Sequence, residues 1–281
     1  MTFSAHFVQN RLLPTVLALM LYGCNGDDAT TTTSNEPSQS SLPRGSLLMN
    51  SRELENITPT MMTTLLDMTG TPHGAYAFGY RAIKIVYTTV DQAGNEVNAS
   101  GLIVIPTTDE NYPISTPYQA AIVSEHHGTL FDDQEAPSNL ELTNGQPDND
   151  MATLYSSIYG YITVMPDYIG FGESVNQPHP YILQQGSANA SLDMLKAATT
   201  YLDQQQIGYN GKLYLSGYSE GGYVTMALAK TMQTETVEGL ELTAVAPMAG
   251  PYDVEQTVFV NKDDRFFMRL NFRSEHLQFS P

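Results

Sequence analysis

The fold is decided by the stretch Leu213-Tyr214-Leu215-Ser216-Gly217-Tyr218-Ser219-Glu220-Gly221-Gly222-Tyr223, which changes character at its centre. Residues 212–216 are a short run typical of a buried strand, whereas the residues from Glu220 onward have the composition of a helix. The pattern Gly217-x-Ser219-x-Gly221 lies between the two. So sharp a turn brings together the residues two before and two after the serine, and only glycine-sized side chains fit there. The stretch therefore predicts a strand-to-helix turn with Ser219 at its apex.

A serine at such an apex is placed for chemistry. Its strained backbone angles lift the hydroxyl clear of the sheet. The first N–H groups of the following helix have no partner within the helix, and their partial positive charge suits a developing oxyanion. The alternative is a tight turn with a buried, inert serine, and the neighbouring motifs have to decide between these two interpretations.

The composition argues against several classes of protein. Of 281 residues, 41% are hydrophobic, which is ample for a core, and 30 acidic against 12 basic residues give a net charge of −18. This acidic balance offers no basic patch, so we expect no nucleic-acid partner. No run reaches the ~18 apolar residues of a confident membrane span. No Cys/His cluster or H-x-x-x-H pattern predicts a metal site, and we expect no cofactor.

The N-terminus has the features of an export signal. Arg11 precedes an apolar run at residues 12–22. The stretch Leu21-Tyr22-Gly23-Cys24 resembles the bacterial lipobox, in which the cysteine is lipidated and becomes the new N-terminus. We therefore predict a signal peptide over residues 1–24. The mature protein is predicted to be a lipoprotein anchored to the bacterial cell envelope through Cys24. The alternative, in which this cysteine is incidental, is a secreted protein. Cys24 is the single cysteine of the chain, so no disulfide is expected.

The remaining chain divides into a tether and a folded domain. Residues 25–50 are polar and rich in Thr and Ser, which predicts a disordered tether, and residues 51–281 are predicted to form one domain. Short helical turns are expected over residues 51–68, followed by an antiparallel hairpin from the β-rich runs at 82–90 and 97–105. Strands are then predicted at residues 119–124, 161–165, 212–216 and 240–246, and helices at residues 151–159, 187–202 and 220–233. The fold class is therefore α/β, with a mostly parallel sheet and an N-terminal antiparallel hairpin.

Three motifs in chain order point to a known family. The strand predicted at residues 119–124 is followed by Glu125-His126-His127-Gly128-Thr129. The strand predicted at residues 161–165 is followed by Pro166-Asp167-Tyr168-Ile169-Gly170-Phe171-Gly172-Glu173-Ser174. With the Ser219 turn, they make the sequence resemble an α/β-hydrolase of the secretory lipase and esterase type, from about Ala82 to Pro251. The first motif is similar to the HG-type loop that supplies an oxyanion donor in that family, and the second to its D-Y-x-G-x-G-x-S loop.

The resemblance implies a serine hydrolase that cleaves carboxylic esters of small molecules or lipids. Ser219 would attack the carbonyl carbon and form an acyl-enzyme. The N–H of Glu220 and an N–H near Gly128 and Thr129 would hold the oxyanion. A serine peptidase of the prolyl oligopeptidase type is a further alternative, because substrate choice lies outside these motifs.

Several polar residues near these motifs invite a catalytic role, but a supporting role is favoured. In the family the catalytic histidine comes from the far end of the chain. We therefore expect His126 and His127 to brace their loop and Asp167 to fix its own. His73 and His179 lie in turn-like Pro/Gly contexts and are expected at the surface.

The sequence departs from the family after the strand that ends at Ala246. The fold needs two more strands, with the triad acid after one and the histidine after the other. Residues 247–281 are too few for this, because each strand–helix unit takes roughly 30 residues. We therefore predict that the last strands are missing and that the domain is incomplete at its C-terminus. The candidate acids are Asp253, Asp263 and Asp264, and the candidate base is His276. The alternative function is a non-catalytic, membrane-tethered binding protein, or an inactive fragment, on a hydrolase scaffold.

Overall fold

The computed structural model describes residues 42–48, 51–74, 77–109, 119–139, 155–156 and 158–253. In chain order, the elements are β1 (Arg52–Ile57), α1 (Pro59–Thr69), β2 (Gly79–Val90), β3 (Glu96–Thr107), β4 (Ala120–His126), β5 (Ile162–Pro166), α2 (Gln184–Gln204), β6 (Tyr209–Tyr218), α3 (Glu220–Thr231) and β7 (Glu241–Met248). Short 3-10 turns lie at Asp133–Glu135, Pro137–Asn139 and Gly172–Ser174.

The described strands form one sheet in the order β1-β2-β3-β5-β4-β6-β7. The pairs from β1 to β5 are antiparallel, whereas β5, β4, β6 and β7 run parallel. The predicted α/β class is confirmed, with the β2–β3 hairpin leading into a parallel half. Because parallel strands end at the same edge of a sheet, the carboxyl ends of β4, β5, β6 and β7 lie together, where such folds place their sites. The prediction that the last strands are missing concerns residues 254–281, which lie outside the described residues.

The first part of the domain differs from the prediction. Instead of helical turns over residues 51–68, the chain forms β1, which pairs with β2, and then α1. Thr58 caps α1, because its hydroxyl accepts the N–H of Met61 at 3.3 Å. Pro59, which reads as an interruption in the sequence, is the first helical residue, where its missing N–H has no cost. The apolar residues whose spacing predicted helical turns therefore belong to two different elements, β1 and α1.

Buried side chains divide between the two faces of the sheet, as the pleat requires. Ile83 and Ile85 of β2 share one core cluster with Leu192 of α2. Ala82 of the same strand belongs to a second cluster with Leu66 of α1. The two helices therefore cover opposite faces of the strands. Among the described helices, none combines the length and the apolar character needed to cross a bilayer.

The predicted boundary of the tether needs a correction, because residues 42–48 lie against the folded domain. Leu47 forms a β-bridge with Tyr87. The guanidinium of Arg44 binds the carboxylate of Asp193 at 2.9 Å, and that carboxylate is fully buried in α2. The polar composition hides this contact, since one arginine that meets a buried carboxylate is enough to hold the segment in place. The rest of the predicted tether lies outside the described residues, as does the predicted signal peptide.

Candidate active site

Ser219 alone joins β6 to α3, and its backbone is strained. Its φ of 59° and ψ of −121° lie in a region that a residue with a side chain rarely adopts. Such a conformation costs of order 1–3 kcal/mol and persists only where the surroundings enforce it. The N–H of Ser219 donates to the carbonyl of Met248 at 3.0 Å, and its own carbonyl accepts the N–H of Tyr223 at 3.2 Å. The end of β7 and the first turn of α3 therefore hold the serine from both sides.

The glycines around Ser219 are required by close backbone contacts. A Cβ at Gly217 would lie 2.6 Å from the hydroxyl oxygen of Thr225 and would also meet the backbone of Gly221. At Gly221, a Cβ would run into the carbonyl of His126 and lie 2.8 Å from the carbonyl oxygen of His127. The predicted need for glycine at these positions is therefore real, and at Gly221 the crowding comes from β4 and the residue after it.

The structure brings the predicted oxyanion residues to the serine from two directions. Ser219 is half-buried. Glu220 follows it directly as the first residue of α3. The Cβ of Ser219 lies 4.0 Å from the position that a Cβ of Gly128 would occupy, so the loop after β4 runs beside the serine. Thr129 is half-buried in the same loop, and its hydroxyl lies 3.4 Å from that of Tyr181.

His126 ties the end of β4 to α3. Its Nδ1 lies 2.8 Å from the hydroxyl of Thr225, its Nε2 lies 3.1 Å from that of Ser124, and its side chain is inaccessible to solvent. Burial, with a smaller contribution from His127, lowers the pKa of His126 to about 3. The ring is therefore neutral at physiological pH and acts as a brace, in the role expected from the sequence.

His127 braces the loop that carries Gly128. Its Nδ1 lies 2.7 Å from the Gly128 carbonyl and its Nε2 lies 3.2 Å from the Asp167 carbonyl. The ring packs against Tyr168 with the ring centroids 4.0 Å apart, and the Tyr168 hydroxyl donates to the His127 carbonyl at 3.1 Å. Burial lowers the pKa of His127. The loop after β4 is thus fixed to the loop after β5.

Asp167 fixes its loop through hydrogen bonds, as the sequence analysis predicts. It is fully buried, and it accepts the N–H of Ser138 at 2.7 Å and the hydroxyls of Ser138 and Ser100 at 2.5 Å each. Burial raises the pKa of Asp167. The contact with His127 goes through the backbone carbonyl of Asp167, so Asp167 and His127 do not form the acid–histidine pair of a triad.

His179 lies in the interior of the fold and not at the predicted surface position. It was expected at the surface, but it is only 4% exposed, and its Nε2 lies 2.7 Å from Oε1 of the equally buried Glu220. Its Nδ1 lies 2.8 Å from the carbonyl of Ile169. These partners are 41 and 10 residues away in the chain, so no local pattern around His179 could have revealed them.

The predicted triad acid and base are not assembled among the described residues. Asp253 follows β7, as expected, and is exposed. Each described histidine has both ring nitrogens within hydrogen-bond distance of a partner other than Ser219; these residues are His73, His126, His127 and His179. The other candidates, His276, Asp263 and Asp264, lie outside the described residues. The predicted lipidation site, Cys24, also lies outside them. Within the part of the chain that the structure describes, no three His, Cys, Asp or Glu side chains form a group that could hold a metal ion.

Comparisons with known proteins agree with this geometry. Residues 137–267 match the family model described as secretory lipase. A Legionella pneumophila protein assigned to the hydrolases is 32% identical, with a TM-score of 0.63 over 75% of this chain and 54% of that one. The rice cell wall degrading esterase LipA from Xanthomonas oryzae is 30% identical, with a TM-score of 0.65 over 76% of this chain and 52% of that one. The chain thus spans about half the length of these solved structures. No curated protein sequence is significantly similar to it.

Proposed function

We propose that the chain is a serine hydrolase that cleaves carboxylic esters, because it has an α/β-hydrolase fold and is similar to secretory lipases and to an esterase. The observation that carries the proposal is the backbone of Ser219, held at a φ of 59° between β6 and α3, with Gly128 beside it. A strained, half-buried serine at the carboxyl edge of a parallel sheet is costly to maintain. The position of Ser219 at the start of α3, beside the loop that carries Gly128, supports a chemical role for this strained residue.

In the proposed reaction, Oγ of Ser219 bonds to the carbonyl carbon of the ester while its proton passes to a base. The negative charge that forms on the carbonyl oxygen accepts hydrogen bonds from the N–H of Glu220 and from an N–H at Gly128 or Thr129. Each such donor stabilises the transition state by roughly 3 kcal/mol. Collapse of the intermediate breaks the ester C–O bond, the base returns the proton to the leaving alcohol, and water then hydrolyses the acyl-enzyme.

The base of this reaction comes from outside the described residues. The described histidines all use both ring nitrogens in other contacts, so none of them offers a free nitrogen to Ser219. Within the given sequence, His276 is the candidate base, and the candidate acids are Asp253, Asp263 and Asp264.

The proposed substrates are esters of small molecules or lipids. The family that the chain matches is named for lipases, and LipA of Xanthomonas oryzae is named an esterase of rice cell walls. Both names favour ester over peptide bonds, so a serine peptidase of the prolyl oligopeptidase type is the less favoured alternative. The name of the family also supports export of the protein. Attachment to the cell envelope through a lipid on Cys24 stays a prediction.

The proposal is tested with p-nitrophenyl esters of short and long acyl chains. We expect Ser219→Ala to lower kcat by on the order of 10⁶-fold if the triad is assembled, the loss seen when such a serine is removed. Ser216→Ala is the matched control, because it removes a serine hydroxyl from β6, three residues before Ser219. Turnover by Ser219→Ala at the rate of the control would remove Ser219 from its role.

The second candidate function is a non-catalytic binding protein or inactive fragment on the same scaffold. It is favoured by the engaged ring nitrogens of all described histidines, which leave Ser219 without a described base. A fluorophosphonate probe separates the two functions, because it phosphonylates only an activated serine. Labelling that disappears in Ser219→Ala supports the hydrolase, whereas an unlabelled protein supports the binding role.

A further inference from the structure

The proposed reaction leaves one buried pair without a role, His179 with Glu220. Their side chains are 5% and 1% exposed, and His179 Nε2 lies 2.7 Å from Glu220 Oε1. The other carboxylate oxygen of Glu220, Oε2, is buried without a hydrogen-bond partner among the described residues. A buried carboxylate that is only half satisfied is costly. It stands directly after the proposed nucleophile.

The contacts of His179 fix how many protons the pair holds. Its Nδ1 faces the carbonyl oxygen of Ile169 at 2.8 Å, and because a carbonyl only accepts, Nδ1 carries a hydrogen. The contact between Nε2 and Oε1 needs one further proton, carried either by an imidazolium or by a protonated Glu220. Without that proton, two lone pairs would face each other at 2.7 Å. The pair therefore holds one shared proton and is a hydrogen bond in either form.

The pair connects the two sides of the proposed oxyanion hole. Glu220 supplies one N–H donor and begins α3. The ring of His179 lies nearly parallel to that of Tyr168, at 11° with the centroids 6.1 Å apart. The Tyr168 hydroxyl donates to the carbonyl of His127, and the next residue, Gly128, is on the loop that carries the other donor. A continuous set of contacts therefore runs from one donor to the other.

The backbone around His179 is shaped to allow this contact. Gly170 has a φ of 96°, and a Cβ there would lie 2.8 Å from the Cα and 2.9 Å from the backbone N of His179. The loop after β5 thus approaches His179 as closely as the absence of a side chain permits. The aromatic ring of Phe171 covers the imidazole on another side, with the centroids 5.0 Å apart. The imidazole is held by its neighbours in the orientation that meets Glu220.

We propose that His179 is a positioning residue of the esterase site. Through the proton that it shares with Glu220, it fixes the start of α3 and so the spacing between the two oxyanion donors. This role rests on the proposed function, because it acts on the transition state of the ester reaction. It contributes to kcat, where the oxyanion forms, and leaves substrate binding almost unchanged.

The test measures kcat and KM for p-nitrophenyl butyrate in matched variants of the whole chain. Glu220→Leu and His179→Leu remove the hydrogen bond, and we expect kcat to fall about 10–100-fold with KM within twofold, because a displaced donor loses part of its effect. Glu220→Gln keeps an amide N–H that can donate to Nε2 of a neutral His179, and kcat should stay within about threefold of the wild type. Glu173→Gln alters an exposed acid near the same loops and should have no effect.

Each outcome decides a separate point. Unchanged kcat in both leucine variants, in a chain whose hydrolysis depends on Ser219, overturns the positioning role alone. A loss in Glu220→Gln as large as in Glu220→Leu overturns the shared proton. A wild-type chain that does not hydrolyse the ester, or hydrolysis that does not depend on Ser219, overturns the proposed function and this role with it. If the urea midpoint shows that a leucine variant does not fold, His179→Gln takes its place. The glutamine amide cannot bridge both Ile169 and Glu220. A fall in the kcat of His179→Gln supports the positioning role, and an unchanged kcat overturns it.

Discussion

Replacing Gly221 by alanine is the sharpest test of how the site is assembled. The added Cβ would meet the carbonyl of His126 and lie 2.8 Å from the carbonyl oxygen of His127. Both obstacles are backbone atoms at the end of β4, so no flexible side chain can move aside. The first turn of α3 and the loop after β4 must therefore separate.

The size of the effect follows from this geometry. Ordinary contacts begin at about 3.4 Å, so the two segments have to move apart by more than 1 Å to clear the His126 carbonyl. Forced overpacking of this kind costs about 1–3 kcal/mol of unfolding free energy. Glu220 precedes Gly221 and Gly128 follows His127, so the movement displaces both proposed oxyanion donors. A misplacement of about 1 Å lowers the rate by on the order of 10²-fold, and we expect that loss in kcat for Gly221→Ala.

The assay combines urea unfolding with hydrolysis of a p-nitrophenyl ester. Gly208→Ala is the matched control, because a Cβ there would lie 3.7 Å from side-chain atoms of Gln119, at an ordinary van der Waals distance. We expect the control to stay within about 0.5 kcal/mol and to keep its activity. If Gly221→Ala equals Gly208→Ala in both measurements, the contact between α3 and the loop after β4 does not control the site.

Two further predictions concern stability. Arg44→Ala leaves the buried carboxylate of Asp193 with fewer partners, and we expect urea unfolding to show that the free energy of unfolding falls by about 2 kcal/mol. This is below the range for fully buried pairs, because Lys196 also contacts Asp193. Arg52 is exposed, and Arg52→Ala should change the free energy of unfolding little. The folded pKa of His126 is lowered to about 3, below the unfolded value near 6.5, so its contribution to stability is complete above about pH 6.5 and is lost as the pH falls towards 3. The wild type should lose up to about 1.4 kcal/mol per pH unit more than His126→Gln over this range, and equal slopes would contradict the lowered pKa.

The Ser219 turn could be predicted from the sequence because its causes are local. The glycines at 217 and 221 and the change from strand to helix all lie within a few residues of the serine. The start of the domain was harder, since Thr58-Pro59 reads equally as a break within one helix and as the cap of a new one. Nothing near residues 51–57 shows that they pair with β2, because pairing is set by a partner strand far away in the chain.

The roles of buried polar residues could be predicted only for residues that belong to a recognisable sequence motif. His127 and Asp167 lie in loops whose pattern indicates support, and their contacts are of that kind. His179 gave no such signal, because a histidine between turn residues is usually exposed, and its burial depends on Gly170 and Glu220 arriving from other parts of the chain. Arg44 was hidden in the same way, since its partner Asp193 lies on α2.

The strain at Ser219 depends on β7 as well as on the turn itself. Glycines at 217 and 221 permit a sharp turn, but they do not force a serine to a φ of 59°. The hydrogen bond from the Ser219 N–H to the Met248 carbonyl supplies a force from the neighbouring strand, and it exists because β6 and β7 pair in parallel up to Tyr218 opposite Met248. Since β7 is the edge strand of the described sheet, whatever holds its carboxyl end in place also holds the angle at which Ser219 presents its hydroxyl. The backbone angle of Ser219 is therefore coupled to the position of Met248 at the end of β7, and not only to the glycines on either side of the serine.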